Sequence, residues 1–352
     1  MLNVSDKITV EIKRLGINGE GIGYYNRLAI FIPGAIPGER CDVEITSVSE
    51  KMAYAKVLDI KNASRDRCEP KCKYYSRCGG CNTMHINYEK MGEYKRDRVI
   101  ESITRYTDLN PRSFEIKKTV LMKSPYGYRF KASLPVRKFN DNATVGLYSV
   151  DGKEVIYIDG CMNQADQINN INKKILALMD KLNVVPYIEK YKRGEVKYIV
   201  TRVSHFNKEA QVTFVIGEKT PKILELAKEV IKIEGVVSVF ESFADGEGDS
   251  LIFGSDIKLL EGKKTILESI GKYKFELLPT AFFQLNPIQT EVLYEHVLKA
   301  CKLSFKERVL DAYCGVGTIG IYLAHNSSEV VGIEYNKEAV ENANNNAKLN
   351  KI

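Results

Sequence analysis

The sequence predicts a multidomain protein: an N-terminal OB-like β-barrel, an α+β central domain, and the start of an α/β Rossmann-like domain. Three observations carry this. Short β-branched runs punctuated by glycine and proline fill the first sixty residues, four cysteines crowd into Cys68–Cys81, and a strand, a glycine-rich turn, a helix and a second strand follow one another near the C-terminus. The expected domains are residues 1–62, 63–272 and 273–352.

The barrel rests on "KITVEIKRLG", "GIGYY", "RLAIFIPG", "ERCDVEITSV" and "AYAKVLDI", five runs with the composition of strands, separated by turn formers such as Gly19, Gly34, Pro37 and Gly38. Alternation at Ile8, Val10 and Ile12 marks one face for a core. Barrels of this size frequently present a nucleic-acid face. The chain's net charge of +7 suits a polyanionic partner. No run is long and apolar enough for a membrane span, and "MLNVSDKITVEI" is too charged for a signal peptide, so the expected compartment is the cytoplasm.

In that compartment clustered thiols bind metal more often than they pair. Cys72, Cys78 and Cys81 stand in a C-x5-C-x2-C run, "CKYYSRCGGC", with Gly79 and Gly80 letting the backbone turn closely. Three grouped thiolates and one distant fourth suit an iron–sulfur cube; the fourth is either Cys68 or Cys161. Zinc is the competing metal, and reduced structural thiols are the bland reading. A charged helix follows at "YEKMGEYKRDRVIESITRYT".

From Tyr126 strands and helices alternate: "YRFKASLPV", "ATVGLYS" and "EVIYI", the helix "QADQINNINKKILALMDKL", strands "VKYIVTRVS" and "AQVTFVI", the helix "PKILELAKEVIKI", then strands "GVVSVF" and "DSLIFG". Basic residues including Arg129, Lys131, Arg137, Lys138, Lys190, Lys192 and Arg193, interleaved with tyrosines, make RNA a candidate partner for this region. The last region reads strand (Arg308–Ala312), turn (Gly315, Gly317, Gly320), helix and strand (Glu329–Glu334). This is a nucleotide-binding half-unit in its proper context. Glu334 ends the second strand, where its carboxylate can accept ribose hydroxyls. NAD and S-adenosylmethionine both satisfy that physics, and Asp311 ahead of the glycines favours the methyl donor. Cys314 in this loop and Cys301 at a helix end read as packing residues.

On these residues the chain resembles the RNA (uracil-5-)-methyltransferase family, in its iron–sulfur branch acting on 23S ribosomal RNA. "CKYYSRCGGC" with "DGCMN" is similar to the cluster motif, "AFFQLNPIQTEVLY" to the entry into the methyltransferase domain, and "VLDAYCGVGTIGIYLA" to the S-adenosylmethionine loop; the barrel looks like a TRAM domain. The resemblance implies S-adenosylmethionine contacts from Gln284, Tyr313 and Glu334, beside Asp311, Gly315 and Gly317. It implies Phe282 near a flipped uracil and a [4Fe–4S] cluster on Cys72, Cys78, Cys81 and Cys161; Arg129 and Lys131 are expected on the RNA from their charge alone. The helix at 88–107 would pack on the methyltransferase domain. Family domains continue well past a second strand, so the expected protein is a monomeric, C-terminally truncated form, its nucleophile and base lying beyond Ile352. The alternative is a non-catalytic, metal-stapled RNA-binding protein that keeps a partial cofactor unit.

Overall fold

The computed structural model describes residues 2–244, 252–254 and 256–352. The chain gathers into two compact units, Met1–Lys123 with Tyr148–Ile156, and Ser124–Leu147 with Tyr157–Ile352.

In the first unit, β1 (Lys7–Leu15), β2 (Gly21–Tyr25), β3 (Leu28–Ile32), β4 (Arg40–Val48) and β5 (Met52–Asn62) close a barrel in the order β1-β2-β3-β5-β4. The period of two buries Val10, Ile12, Ile30, Ile32, Val43, Ile45, Ala53 and Ala55 together inside it. Asn26 and Arg27 both take positive φ, 47° and 71°, which gives the β2–β3 hairpin the twist its strands need. At Gly23 a Cβ would stand 2.2 Å from Val10 Cγ1, so the two strands approach only because it is absent.

The buried Glu39 ties the barrel to the cysteine segment. Its carboxylate accepts from Arg67 Nε and Nη2 at 2.6 and 2.8 Å and from the Ile36 and Ser64 amides. Burial alone would raise its pKa; the Arg67 bonds and the two amides overcome this and hold it below the ordinary carboxylate value. Helix α1 (Tyr88–Tyr106) starts where Asn87 Oδ1 accepts the Glu89 and Lys90 amides. Met91 and Tyr94 on α1 pack with Leu15, Ile36 and Ile86.

A seven-stranded sheet, most of it within the second unit, has the order β12-β11-β10-β9-β6-β7-β8. Its strands are β6 (Lys131–Phe139), β7 (Asn142–Tyr148), β8 (Val155–Tyr157), β9 (Val196–Val203), β10 (Ala210–Ile216), β11 (Val236–Phe243) and β12 (Asp256–Gly262). Helices α2 (Asp166–Lys181) and α3 (Pro221–Val230) bury Ile168, Ile171, Ile175, Ile223 and Leu226 in the sheet's core. β10 and β11 run parallel because α3 carries the chain back between them. The expected strand over 249–254 falls partly outside the described residues; Ile252 and Phe253 are bends, and the strand begins at Asp256.

A second core follows. The hairpin β13 (Ile266–Ile270) and β14 (Tyr273–Leu277) packs with α4 (Pro287–Cys301) and α5 (Thr318–Ala324). β15 (Arg308–Ala312) and β16 (Glu329–Ile333) pair in parallel, and α6 (Lys337–Leu349) closes the described chain.

Candidate functional site

The glycine turn between β15 and α5 is set by backbone geometry. Tyr313, Gly315 and Gly317 all take positive φ (64°, 55° and 80°), which is cheap for glycine and uncommon for tyrosine. Tyr313 is 90% exposed, and a Cβ built on Gly315 would meet nothing within 4 Å, so the turn opens onto free space. Glu334 reaches back across it. Its Oε2 accepts the Gly315 amide at 3.0 Å and its Oε1 the Asn336 amide at 2.9 Å. These backbone donors, Asn336 first, hold the carboxyl below its ordinary pKa. The result is a fixed anion beside an open turn.

Asp311 is engaged differently. Its Oδ2 accepts the Gly320 amide at 2.8 Å and so anchors α5 to β15, while burial pushes its carboxyl upward. Cys314 packs: a Cβ on Gly332 would lie 2.9 Å from its sulfur, and burial, then the charges of Asp311 and Glu334, raise its thiol. A thiol so placed is a poor source of thiolate.

The segment Ala281–Leu285 lies in the same core as this turn. Burial alternates along it: Ala281 and Phe283 are buried with Val316, Ile321 and Tyr322, whereas Phe282 and Gln284 face out. Phe282 is 73% exposed, a large apolar ring presented to solvent on a segment that is itself held fast. Three bonds hold it. Phe130 N–H donates to Leu285 O at 2.9 Å, Arg202 Nη2 to Ala281 O at 2.5 Å, and Thr280 Oγ1 to Glu338 Oε2 at 2.9 Å. The first brings Arg129 and Lys131, the neighbours of Phe130, to the segment carrying Phe282 and Gln284. Four expected substrate and cofactor residues, distant in sequence, are thereby gathered.

Lys131 stands directly opposite Arg202 in the β6–β9 register, its ammonium 5.3 Å from the Phe253 ring centroid. Desolvation, with the Arg202 charge adding to it, pulls its amine down to about 7. Arg202 is 6% exposed, and Glu268, 3% exposed, is its electrostatic counterweight. Glu268 accepts the His205, Phe206 and Ser269 amides. Sequence reasoning missed this pair, because a lone Arg in "YIVTRVS" and a lone Glu in "TILESIG" carry no motif.

It also missed the asparagines of α6. Asn342 Nδ2 donates to Glu276 O, Asn346 Oδ1 accepts the Glu276 amide, and Asn350 bonds Lys274 through both amide atoms. Asn346 Nδ2 also reaches Val316 O at 3.3 Å, inside the glycine turn. The spacing of four in "ENANNNAKLN" was the available signal, one polar stripe gripping the backbone of β14.

The metal expectation for Cys72, Cys78, Cys81 and Cys161 finds no support in the structure. Among the described residues no group of three or more His, Cys, Asp or Glu side chains that could hold a metal ion is found. Spacing supplied thiols but does not establish their convergence. Local bonds are instead seen at several of them: the Gly80 amide donates to Cys78 Sγ at 3.4 Å, Cys68 Sγ to Met84 O, and the Asn169 amide group brackets the Cys161 peptide at 3.0 and 3.1 Å. Among the described residues no helix is long and apolar enough to cross a membrane.

Comparison with known proteins adds the following. A TRAM domain model matches residues 2–58 and a methyltransferase domain model residues 303–352. Over 348 residues the chain is 40% identical to an uncharacterized RNA methyltransferase of Bacillus cereus, covering 99% of this chain and 76% of that relative. It is 36% identical over 350 residues to one of Enterococcus faecalis, with 99% and 76% covered. Among solved structures, the Pyrococcus abyssi tRNA (uracil-54, C5)-methyltransferase in complex with S-adenosyl-L-homocysteine superposes with a TM-score of 0.74 at 24% identity, covering 98% of this chain and 77% of that one. The fold is shared with it.

Proposed function

This chain belongs to the RNA methyltransferase family, and from that premise we propose that it serves S-adenosylmethionine-dependent methylation of uracil at C5 in RNA, with 23S ribosomal RNA as the substrate. One observation carries the reading: the pinned segment that turns Phe282 and Gln284 outward is seated, through Ala281 and Phe283, in the same core as Val316 of the open turn that Glu334 spans.

The residues present fit the methyl donor. Gly315 leaves room for close approach, and Glu334 offers a carboxylate whose remaining lone pairs can accept ribose hydroxyls. Tyr313, within the turn, and Gln284 are both exposed. When bound, the donor supplies an electrophilic methyl group.

The chain's own residues act on the RNA. A uracil must leave its stack before C5 can be reached, and the exposed Phe282 ring replaces part of the lost stacking. Arg129 and Lys131 hold phosphates near the extruded base. Uracil C5 becomes nucleophilic once a thiolate adds to C6, and a base later removes the C5 proton. No described side chain is assigned either of those roles.

The test is methyl transfer from radiolabelled donor to unmodified 23S ribosomal and transfer RNA transcripts, followed by nucleoside mass spectrometry. The expected product is 5-methyluridine in the ribosomal transcript. A methyl group on another atom would refute the chemistry, and labelling of transfer RNA alone would refute the substrate.

A further inference from the structure

A loop at the far end of the central sheet carries a second cluster suited to nucleic acid. Residues 184–195 run from α2 into β9 and contain a single 3-10 turn, Glu189–Tyr191. The loop is tightly fixed. Tyr187 and Ile188 amides donate to Val196 O and Arg193 O at 2.8 Å each. Lys192 turns through positive φ, 48°. Gly194 takes φ 117°, and a Cβ there would lie 2.6 Å from Pro186 O.

Every carboxylate at the loop is occupied by local donors. Glu195 accepts the Val185 amide and the Thr220 hydroxyl, Glu218 accepts the Gly194 amide at 2.7 Å, and Glu189 pairs with Arg137. Lys190 and Arg193 have no carboxylate partner among the described residues. Both lie against the ring of Tyr191, 5.5 and 5.3 Å from its centroid, and that ring is 57% exposed. Lys197 lies similarly over Tyr187 at 4.5 Å. A rigid exposed ring with two uncommitted cations is a stacking platform beside phosphate-binding charge.

Its position gives it a task. Val196 begins β9 next to this loop, and Arg202 lies six residues along the same strand, opposite Lys131. At about 3.3 Å per residue the two ends are separated by about 20 Å. We propose that the loop bearing Lys190, Tyr191 and Arg193 is a second RNA-binding surface, which holds single-stranded RNA at the opposite end of β9 from Arg202, the residue that bonds the segment carrying Phe282. This rests on the RNA methyltransferase reading for its partner, but not on the position or chemistry of the methyl transfer. An acidic protein is the competing occupant, and a solvent-exposed Tyr with cations on it favours RNA because a ring adds nothing for an aspartate or glutamate side chain.

The test uses the whole chain with the substitutions Lys190→Ala with Arg193→Ala, Tyr191→Ala and Tyr191→Phe. Binding of a 23S ribosomal RNA transcript is measured by filter retention across a salt series. Losing two phosphate contacts on a single strand should flatten the log–log salt slope by about 1.4. Tyr191→Ala should weaken binding roughly 5- to 150-fold, and Tyr191→Phe, which keeps the ring, should not. S-adenosylmethionine binding should stay unchanged in all variants. An unchanged slope, equal losses in Tyr191→Ala and Tyr191→Phe, or displacement of the RNA by polyglutamate as effectively as by unlabelled RNA would overturn the proposal. Because the readout is binding, a failure of methyl transfer on uracil would leave this result interpretable.

Discussion

Replacing Arg202 by Met tests how the outward pair Phe282 and Gln284 is held. The guanidinium is buried, donates to Ala281 O at 2.5 Å and more weakly to Leu278 O at 3.5 Å, and faces Glu268 electrostatically. A bond from a charged donor contributes about 1.5–3 kcal/mol, and a buried carbonyl left without a partner costs about 1–3 kcal/mol. Two effects offset this. Met fills most of the volume, and Glu268 keeps its three amide donors, so it does not become an orphaned anion. The expected loss is therefore about 2 kcal/mol, below the 3–5 kcal/mol typical when a buried pair loses one member. For a unit of this size that lowers Tm by about 4–8 °C. Amide exchange at Phe282–Leu285 should accelerate about 30-fold, and RNA affinity should fall with it. Arg202→Lys keeps the charge but not the fork, and should lie between. If Arg202→Met lowers Tm while exchange at Phe282–Leu285 and RNA affinity stay as they were, Arg202 is merely a core residue and the reasoning fails.

Lys131, its amine near 7, should contribute to RNA binding below that pH and cease to above it. The salt slope should be steeper by about 0.7 at pH 6 than at pH 8.5, a difference that Lys131→Met removes. The sign for stability is the opposite: the folded amine lies below its unfolded value, so its destabilising cost is full below about pH 7 and fades as pH rises towards 10.5. Lys131→Met should accordingly stabilise most in acid, as urea titrations at pH 6 and 9 would show. Asn346→Ala removes the bonds to the Glu276 amide and Val316 O and should cost about 1–3 kcal/mol by denaturation, with weaker S-adenosylmethionine binding by calorimetry. Glu334→Ala should weaken the same ligand roughly tenfold or more. As pH falls below the ordinary carboxylate value, through the lower folded one, the wild-type turn should loosen, visible in Gly315 amide exchange.

What the sequence revealed and what it hid divide along a physical line. Local pattern was readable: the period-two runs place Val10, Ile12, Ile30 and Ile32 in one barrel core, and the strand–glycine–strand order puts Glu334 across from Gly315. Motif resemblance pointed to Phe282 and Gln284, and basic composition to Arg129 and Lys131, but only the Phe130–Leu285 bond shows that the two segments meet. The strand β12 was misplaced because "IKLLEG" alternates weakly and lies beside a glycine-rich stretch with stronger turn signals. Arg202, Glu268 and Asn346 were invisible for a deeper reason. Each acts by bonding backbone groups of a segment 62 to 79 positions away or, for Asn346, 30 and 70 positions away. Backbone amides and carbonyls are the same in every residue, so such a partner leaves no mark on the sequence it grips. The cysteines pose the converse case, since four thiols at metal-like spacing state a composition, whereas a ligand set is a statement about convergence, which no grouping among the described residues supplies. A motif is therefore most informative when its members act within one local turn, as at Gly315 and Glu334, and least informative when they must be assembled by the tertiary fold.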